Sequence, residues 1–75
     1  PLDESLARAV VDLVGRPWAE VQVDFAAPRL GALATENVAH FVRSLASSAR
    51  LCVHLDLVRG ANDHHRAEAC FKALA

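Results

Sequence analysis

The residues best equipped for chemistry crowd into one short run, Asn62-Asp63-His64-His65-Arg66-Ala67-Glu68, with Lys72 just beyond. Two imidazoles and a carboxylate within about one helical turn suit a divalent metal ion. At ~100° per residue, His65, Glu68 and Lys72 fall within about 60° of one another on a helix. His64 lies nearer the apolar edge, four residues before Glu68. The i,i+3 and i,i+4 spacings allow side chains to converge, but adjacent histidines point ~100° apart. A metal reading therefore requires two metals, or one metal shared with another polypeptide surface. The alternative is an N-terminal turn with two surface histidines and an exposed Glu-Lys pair; spacing leaves both open.

Other polar residues are more isolated. His40 lies opposite an apolar stripe, on a face shared with Glu36, Arg43 and Ser47. It reads either as a solvated His-Glu pair or as a ligand aimed between subunits. His54 beside Asp56 reads as structural or solvent-exposed. Arg16 and Lys72 are cations near recognisable features and could hold an anion such as phosphate. Glu4 precedes the first strand as a candidate acid or base. The sequence has no glycine-rich phosphate loop and no G-x-S-x-G.

These residues need elements to position them. Residues 6–14 and 18–25 alternate apolar and polar side chains with the period of half-buried strands. The turn signal Gly15-Arg16-Pro17 lies between them, so together they predict an antiparallel hairpin. Residues 26–34 read as a connection, and Thr35 as an N-cap. Val38, Phe41, Val42, Leu45 and Ala49 then follow helical spacing. Residues 51–58 predict a third strand with Leu51, Val53, Leu55 and Leu57 on its apolar face. Gly60-Ala61-Asn62-Asp63 reads as a turn ending in an N-cap, before a helix from about residue 64 that places Ala67, Cys70, Phe71 and Leu74 on one stripe. The order β-β-α-β-α predicts an α+β fold, a small mostly antiparallel sheet with two helices packed on one face. The other sheet face carries Arg8, Asp12, Glu20, Gln22, His54 and Asp56.

Composition sets the outer bounds. The chain has 75 residues, 53% hydrophobic and 23% charged, and a net charge of -1. That is one small core, residues 1–75 as a single unit, with apolar surface left over for self-association. It excludes a disordered tail and gives no basic footprint for nucleic acid. No apolar run approaches the ~18 residues of a membrane span, and no signal peptide is visible. Cys52 and Cys70 have no metal-ligand spacing and read as buried thiols in a reducing compartment, which points to the cytoplasm. The chain contains no methionine, so the sequence reads as a processed, trimmed or designed piece.

Four segments resemble the C-terminal half of the imidazoleglycerol-phosphate dehydratase family, the dehydratases of histidine biosynthesis. They are Pro1-Leu2-Asp3-Glu4-Ser5-Leu6-Ala7, Asp12-Leu13-Val14-Gly15-Arg16-Pro17, His40-Phe41-Val42-Arg43-Ser44-Leu45-Ala46, and Gly60-Ala61-Asn62-Asp63-His64-His65-Arg66-Ala67-Glu68-Ala69-Cys70-Phe71-Lys72-Ala73. They run in order with no gap, and the last is highly specific.

The resemblance implies a subunit of two similar halves, its helices sandwiched between two sheets, with many subunits in a closed shell. It implies active sites at subunit interfaces, each holding two manganese ions. Carried across, the metal ligands are His40, His64, His65 and Glu68. Adjacent diverging histidines and an outward His40 then both fit a shared two-metal site. The implied substrate is a phosphorylated imidazole, whose ring carries the negative charge that develops as a poorly acidic C–H bond breaks. A glutamate of the other half acts in proton transfer; Glu4 is its repeat counterpart and the candidate catalytic residue here. Arg16 and Lys72 match basic residues that hold the substrate phosphate. Val14 departs from a common serine, and the first half with its own three histidines and glutamate is missing, as is a basic C-terminal tail.

The expected function is half of a metal-dependent dehydratase that converts imidazole glycerol phosphate to imidazole acetol phosphate, with activity only beside the missing N-terminal half. The alternative is an isolated half that self-associates and binds metal without turnover.

Overall fold

Among the described residues seven elements follow one another, and the sixth organises the rest. They are β1 (Leu6–Asp12), β2 (Trp18–Gln22), β3 (Arg29–Leu30), β4 (Leu33–Ala34), α1 (Glu36–Ala49), β5 (Cys52–Arg59) and α2 (Asp63–Leu74). The computed structural model describes residues 1–13 and 15–75; the expectation attached to Val14 lies outside the described residues. The architecture is the α+β arrangement expected, with both helices on one face of a three-stranded sheet.

The sheet order is β1-β5-β2. β5 runs antiparallel to β1, with Arg8 opposite Asp56 and Ala9 opposite Leu55. It runs parallel to β2, with Ala19 opposite Val53 and Val21 opposite Leu55. The hairpin expected from residues 6–14 and 18–25 therefore does not form: β5 lies between its two arms. Two causes are visible. Gly15-Arg16-Pro17 is not a two-residue hairpin turn, and Pro17 has no N–H for a ladder. The first donor after it, Trp18 N, bonds instead to Leu51 O at 3.1 Å. β5 is also the longest strand, and its Val53 and Leu55 are fully buried, so both neighbours gain most by lying beside it.

The core joins Ala7, Val53 and Leu55 of the sheet to Val42 and Ala46 of α1 and Ala69 and Cys70 of α2. Burial pushes the Cys70 thiol up to about 11. Cys52 sits half-buried on the opposite sheet face, so only one of the two expected buried thiols is fully buried. That opposite face carries the Arg8–Asp56 ion pair at 3.1 Å, with Val10, Trp18 and Val58 exposed around it.

Smaller differences concern ends and caps. Residues 26–34 contain the antiparallel ribbon β3–β4, which turns at Gly31 with φ +62°. Thr35 precedes α1 without capping it; its hydroxyl donates to Ala27 O at 2.9 Å and ties the ribbon to the helix. α1 ends at Arg50, in the left-handed region with φ +57°. α2 begins at Asp63, with Asn62 as its cap. Phe41 and Phe71 do not join the core. They are 50% and 39% exposed, and their rings meet 5.8 Å apart on the outer side of the helix layer. Among the described residues, no helix is long and apolar enough to cross a membrane.

Candidate active site

The first residues of the chain fold into a tight turn that delivers Glu4 to the start of α2. Leu2 and Ser5 exchange two backbone hydrogen bonds, of 2.9 and 2.8 Å, and Asp3 between them takes φ +46°. Ser5 is buried against Gly60, the residue that follows β5. A Cβ at Gly60 would lie 2.5 Å from Ser5 Oγ and 2.8 Å from Arg66 Cγ, so only glycine permits this approach. Glu4 Oε2 then accepts from the Ser5 hydroxyl at 2.6 Å, from Ala61 N at 2.9 Å and from Asn62 N at 3.2 Å. Its other oxygen, Oε1, is 2.7 Å from His65 Nδ1.

These contacts fix both the charge and the orientation of the pair. Hydrogen bonds from His65, Ser5, Ala61 and Asn62 hold the Glu4 carboxyl well below the usual carboxylate range. The hydrogen bond to Glu4 raises His65 above the ordinary histidine value, against a smaller desolvation effect. Asn62 Oδ1 accepts from His65 N at 3.1 Å, so the cap that starts α2 also holds the backbone of this histidine. A neutral His65 that donates from Nδ1 to Glu4 presents a lone pair at Nε2, and Nε2 makes no hydrogen bond among the described residues. This is the carboxylate–histidine arrangement that orients metal-binding imidazoles and raises their basicity.

His64 points elsewhere. It is 76% exposed, and its Nε2 lies 3.8 Å from Glu68 Oε2 across one helical turn. His40 lies on the exposed side of α1. The structure thus brings His65 to Glu4 and His64 to Glu68, and leaves His40 on a separate helix. Among the described residues, no three His, Cys, Asp or Glu side chains form one metal-sized group. Lys72, in the last turn of α2, donates to Pro1 O at 3.4 Å. Arg16 is exposed in the connection after β1. His54 is exposed on the outer sheet face, opposite Val10 and Glu20.

Two residues have positioning roles that the sequence did not reveal: Asp63 read as an N-cap, and Arg66 had no role. Asp63 accepts from Ala26 N at 3.0 Å and Ala27 N at 2.6 Å, and these bonds hold its carboxyl below the ordinary value. Arg66 donates to Asp63 at 3.2 Å and, from Nε and Nη2, to Gly60 O at 3.1 and 2.8 Å. Together they bind α2 to the strand before it and to the chain leading into β3. The i,i+3 spacing of Asp63 and Arg66 was the available signal. The ribbon so anchored forms one wall of a groove of about 320 Å³, lined by Leu30, Leu33, His64, Ala67, Glu68 and Phe71.

A family model for imidazoleglycerol-phosphate dehydratase matches residues 1–75. The chain belongs to this family. Its sequence is 53% identical over 75 residues to the imidazoleglycerol-phosphate dehydratase of Candida glabrata, covering all of this chain and 36% of that protein. It is 55% identical to that of Neurospora crassa, covering 33% of it. Among solved structures, it is similar to imidazoleglycerol-phosphate dehydratase from Staphylococcus aureus, with TM-score 0.94 and 46% identity over 99% of this chain and 44% of that one. The enzyme from Pyrococcus furiosus, solved in complex with (S)-C348, gives TM-score 0.86 and 36% identity, covering 42% of that chain. The chain spans about a third of the length of the curated dehydratases it matches.

Proposed function

We propose that this chain supplies one half of the active site of an imidazoleglycerol-phosphate dehydratase, which removes water from the glycerol chain of imidazole glycerol phosphate to give imidazole acetol phosphate in histidine biosynthesis. The observation that carries the proposal is the Glu4–His65 contact, which lets a neutral His65 present Nε2 on the helix that also carries the exposed His64–Glu68 pair. Imidazole nitrogens and a carboxylate suit manganese, which would supply Lewis-acid stabilisation of the charge left when the C–H bond breaks. His40, His64, His65 and Glu68 would hold it, two ions sharing ligands with a second polypeptide face. Adjacent histidines with different partners support that division, since His65 is fixed toward Glu4 and His64 toward Glu68. Proton transfer is assigned to a glutamate of the complementary half. Arg16 as a forked cation and Lys72 as a point charge would hold the substrate phosphate. A biosynthetic enzyme of this kind fits the cytoplasm.

A second reading, self-association without turnover, draws support from Phe41 and Phe71. Their rings lie on the bare side of the helix layer, where either a complementary half or another copy would cover them. One experiment separates the two. The purified chain is assayed for loss of imidazole glycerol phosphate with Mn²⁺, alone and with the N-terminal half of the Staphylococcus aureus enzyme. Turnover only in the mixture is expected. Metal binding with no turnover in either arm would favour the second reading, and turnover by the chain alone would overturn the half-site proposal.

A further inference from the structure

We propose that Glu4 is the positioning residue of His65, fixing its tautomer and ring orientation so that Nε2 faces outward as a ligand, and that it takes no proton from substrate. This rests on the metal-dependent reading of the site and deepens it.

Four donors crowd the Glu4 carboxylate, which offers about two lone-pair sites on each oxygen. Ser5 Oγ, Ala61 N and Asn62 N converge on Oε2 at 2.6, 2.9 and 3.2 Å, and His65 Nδ1 lies 2.7 Å from Oε1. Oε2 has no lone pair to spare and Oε1 already faces the ring, so the carboxylate is held between the backbone N–H groups and His65. The same set of donors fixes the tautomer. Ala61 and Asn62 are backbone N–H groups and can only donate, so the carboxylate that accepts from them is aimed at His65 as an acceptor too. The ring must then donate from Nδ1, which places its lone pair on Nε2. The scaffold around Glu4 is built for rigidity: the Leu2–Ser5 bond pair closes the turn below it, and Gly60 admits Ser5 at a separation no other residue allows. A group that must swing to collect and release a proton gains nothing from such a clamp, whereas a group that orients another does.

Glu4→Gln separates the two roles. An amide has one acceptor oxygen and one donor nitrogen. With its oxygen toward the backbone N–H groups, its NH₂ faces His65 and demands an acceptor at Nδ1, which moves the ring proton to Nε2. The first readout is ¹⁵N chemical shifts of labelled histidine, taken on the 75-residue chain at a pH where the ring is neutral. The unsubstituted chain is expected to show His65 as the Nδ1–H form, and Glu4→Gln the Nε2–H form. The second readout is Mn²⁺ affinity of the chain mixed with the complementary half, expected to fall about 10–100-fold in Glu4→Gln. An Nε2–H tautomer in the unsubstituted chain overturns the proposal and needs no variant to fold. Loss of turnover in Glu4→Gln with tautomer and Mn²⁺ affinity unchanged also overturns it, in favour of proton transfer. The tautomer readout uses neither metal nor turnover, so failure of the dehydratase reading leaves this result standing or falling separately.

Discussion

At the scale of single residues, the chemistry is set by partners distant in the chain. His64, His65 and Glu68 are legible in the sequence as ligand types at helical spacing. That Glu4 meets His65 is not, because 61 positions separate them and no periodic pattern links a turn to a helix that far away. Asp63 was similarly opaque: its type suggested a cap, yet its carboxylate serves Ala26 and Ala27 while Asn62 does the capping. Its titration yields a prediction. The folded chain holds Asp63 ionised below its ordinary value near 3.8, so its bonds stabilise the fold above that pH and are lost as pH falls through the lowered value. Asp63→Asn cannot titrate and can accept only one of the two N–H groups well. Urea unfolding is therefore expected to show Asp63→Asn less stable at neutral pH, with the gap closing as the pH drops below 3.8. A gap that persists unchanged in acid would show that shape, not charge, holds this contact.

At the scale of elements, period-two and helical patterns revealed which segments are strands and helices, and which side of each is buried. They could not reveal neighbours, because alternation reports a face and not a partner. Residues 6–14 and 18–25 each read as strands, and the strands formed are the shorter Leu6–Asp12 and Trp18–Gln22, which do not pair directly. The apolar stripes were also read too wide. Phe41 and Phe71 match the helical spacing, but a single sheet covers only the narrower row made by Val42 and Ala46 on α1 and by Ala69 and Cys70 on α2. Cross-linking checks the strand order. Val10 and His54 are register partners on the outer sheet face, whereas Val10 and Glu20 lie two strands apart. Strands are ~4.8 Å apart, so two spacings exceed the ~7 Å limit for a disulfide. V10C with H54C is expected to cross-link on mild oxidation, and V10C with E20C is not. The reverse pattern would restore the hairpin.

At the scale of the whole molecule, the chain is a slab. Its extents are 34 × 23 × 16 Å with a radius of gyration of 12.0 Å, against about 11 Å for a rounder chain of this length. The thin dimension is the three-stranded sheet and one helix layer. Apolar excess was legible in the composition, and the structure locates part of it at Phe41, Phe71 and Leu33. Light scattering is expected to show masses above the 8.1 kDa of one chain. Phe41→Ser with Phe71→Ser is expected to weaken that association at least about ten-fold, since a buried Phe contributes about 1.5–3 kcal/mol. Circular dichroism should stay unchanged, because neither ring is in the core. A double variant that associates as before would place the contact elsewhere.

The central place of β5 also governs the order in which this chain takes shape as it is made. Every ladder partner of β1 lies at Cys52 or beyond, and β2 waits for the same strand. During synthesis β1 and β2 therefore emerge before the strand that joins them. Glu4 is made 61 positions before the His65 it meets. Such late, long-range closure slows folding, and the two waiting strands expose open edges to any neighbouring chain. A nascent chain stalled before residue 52 should remain open to protease at both strands, and one stalled beyond α2 should not.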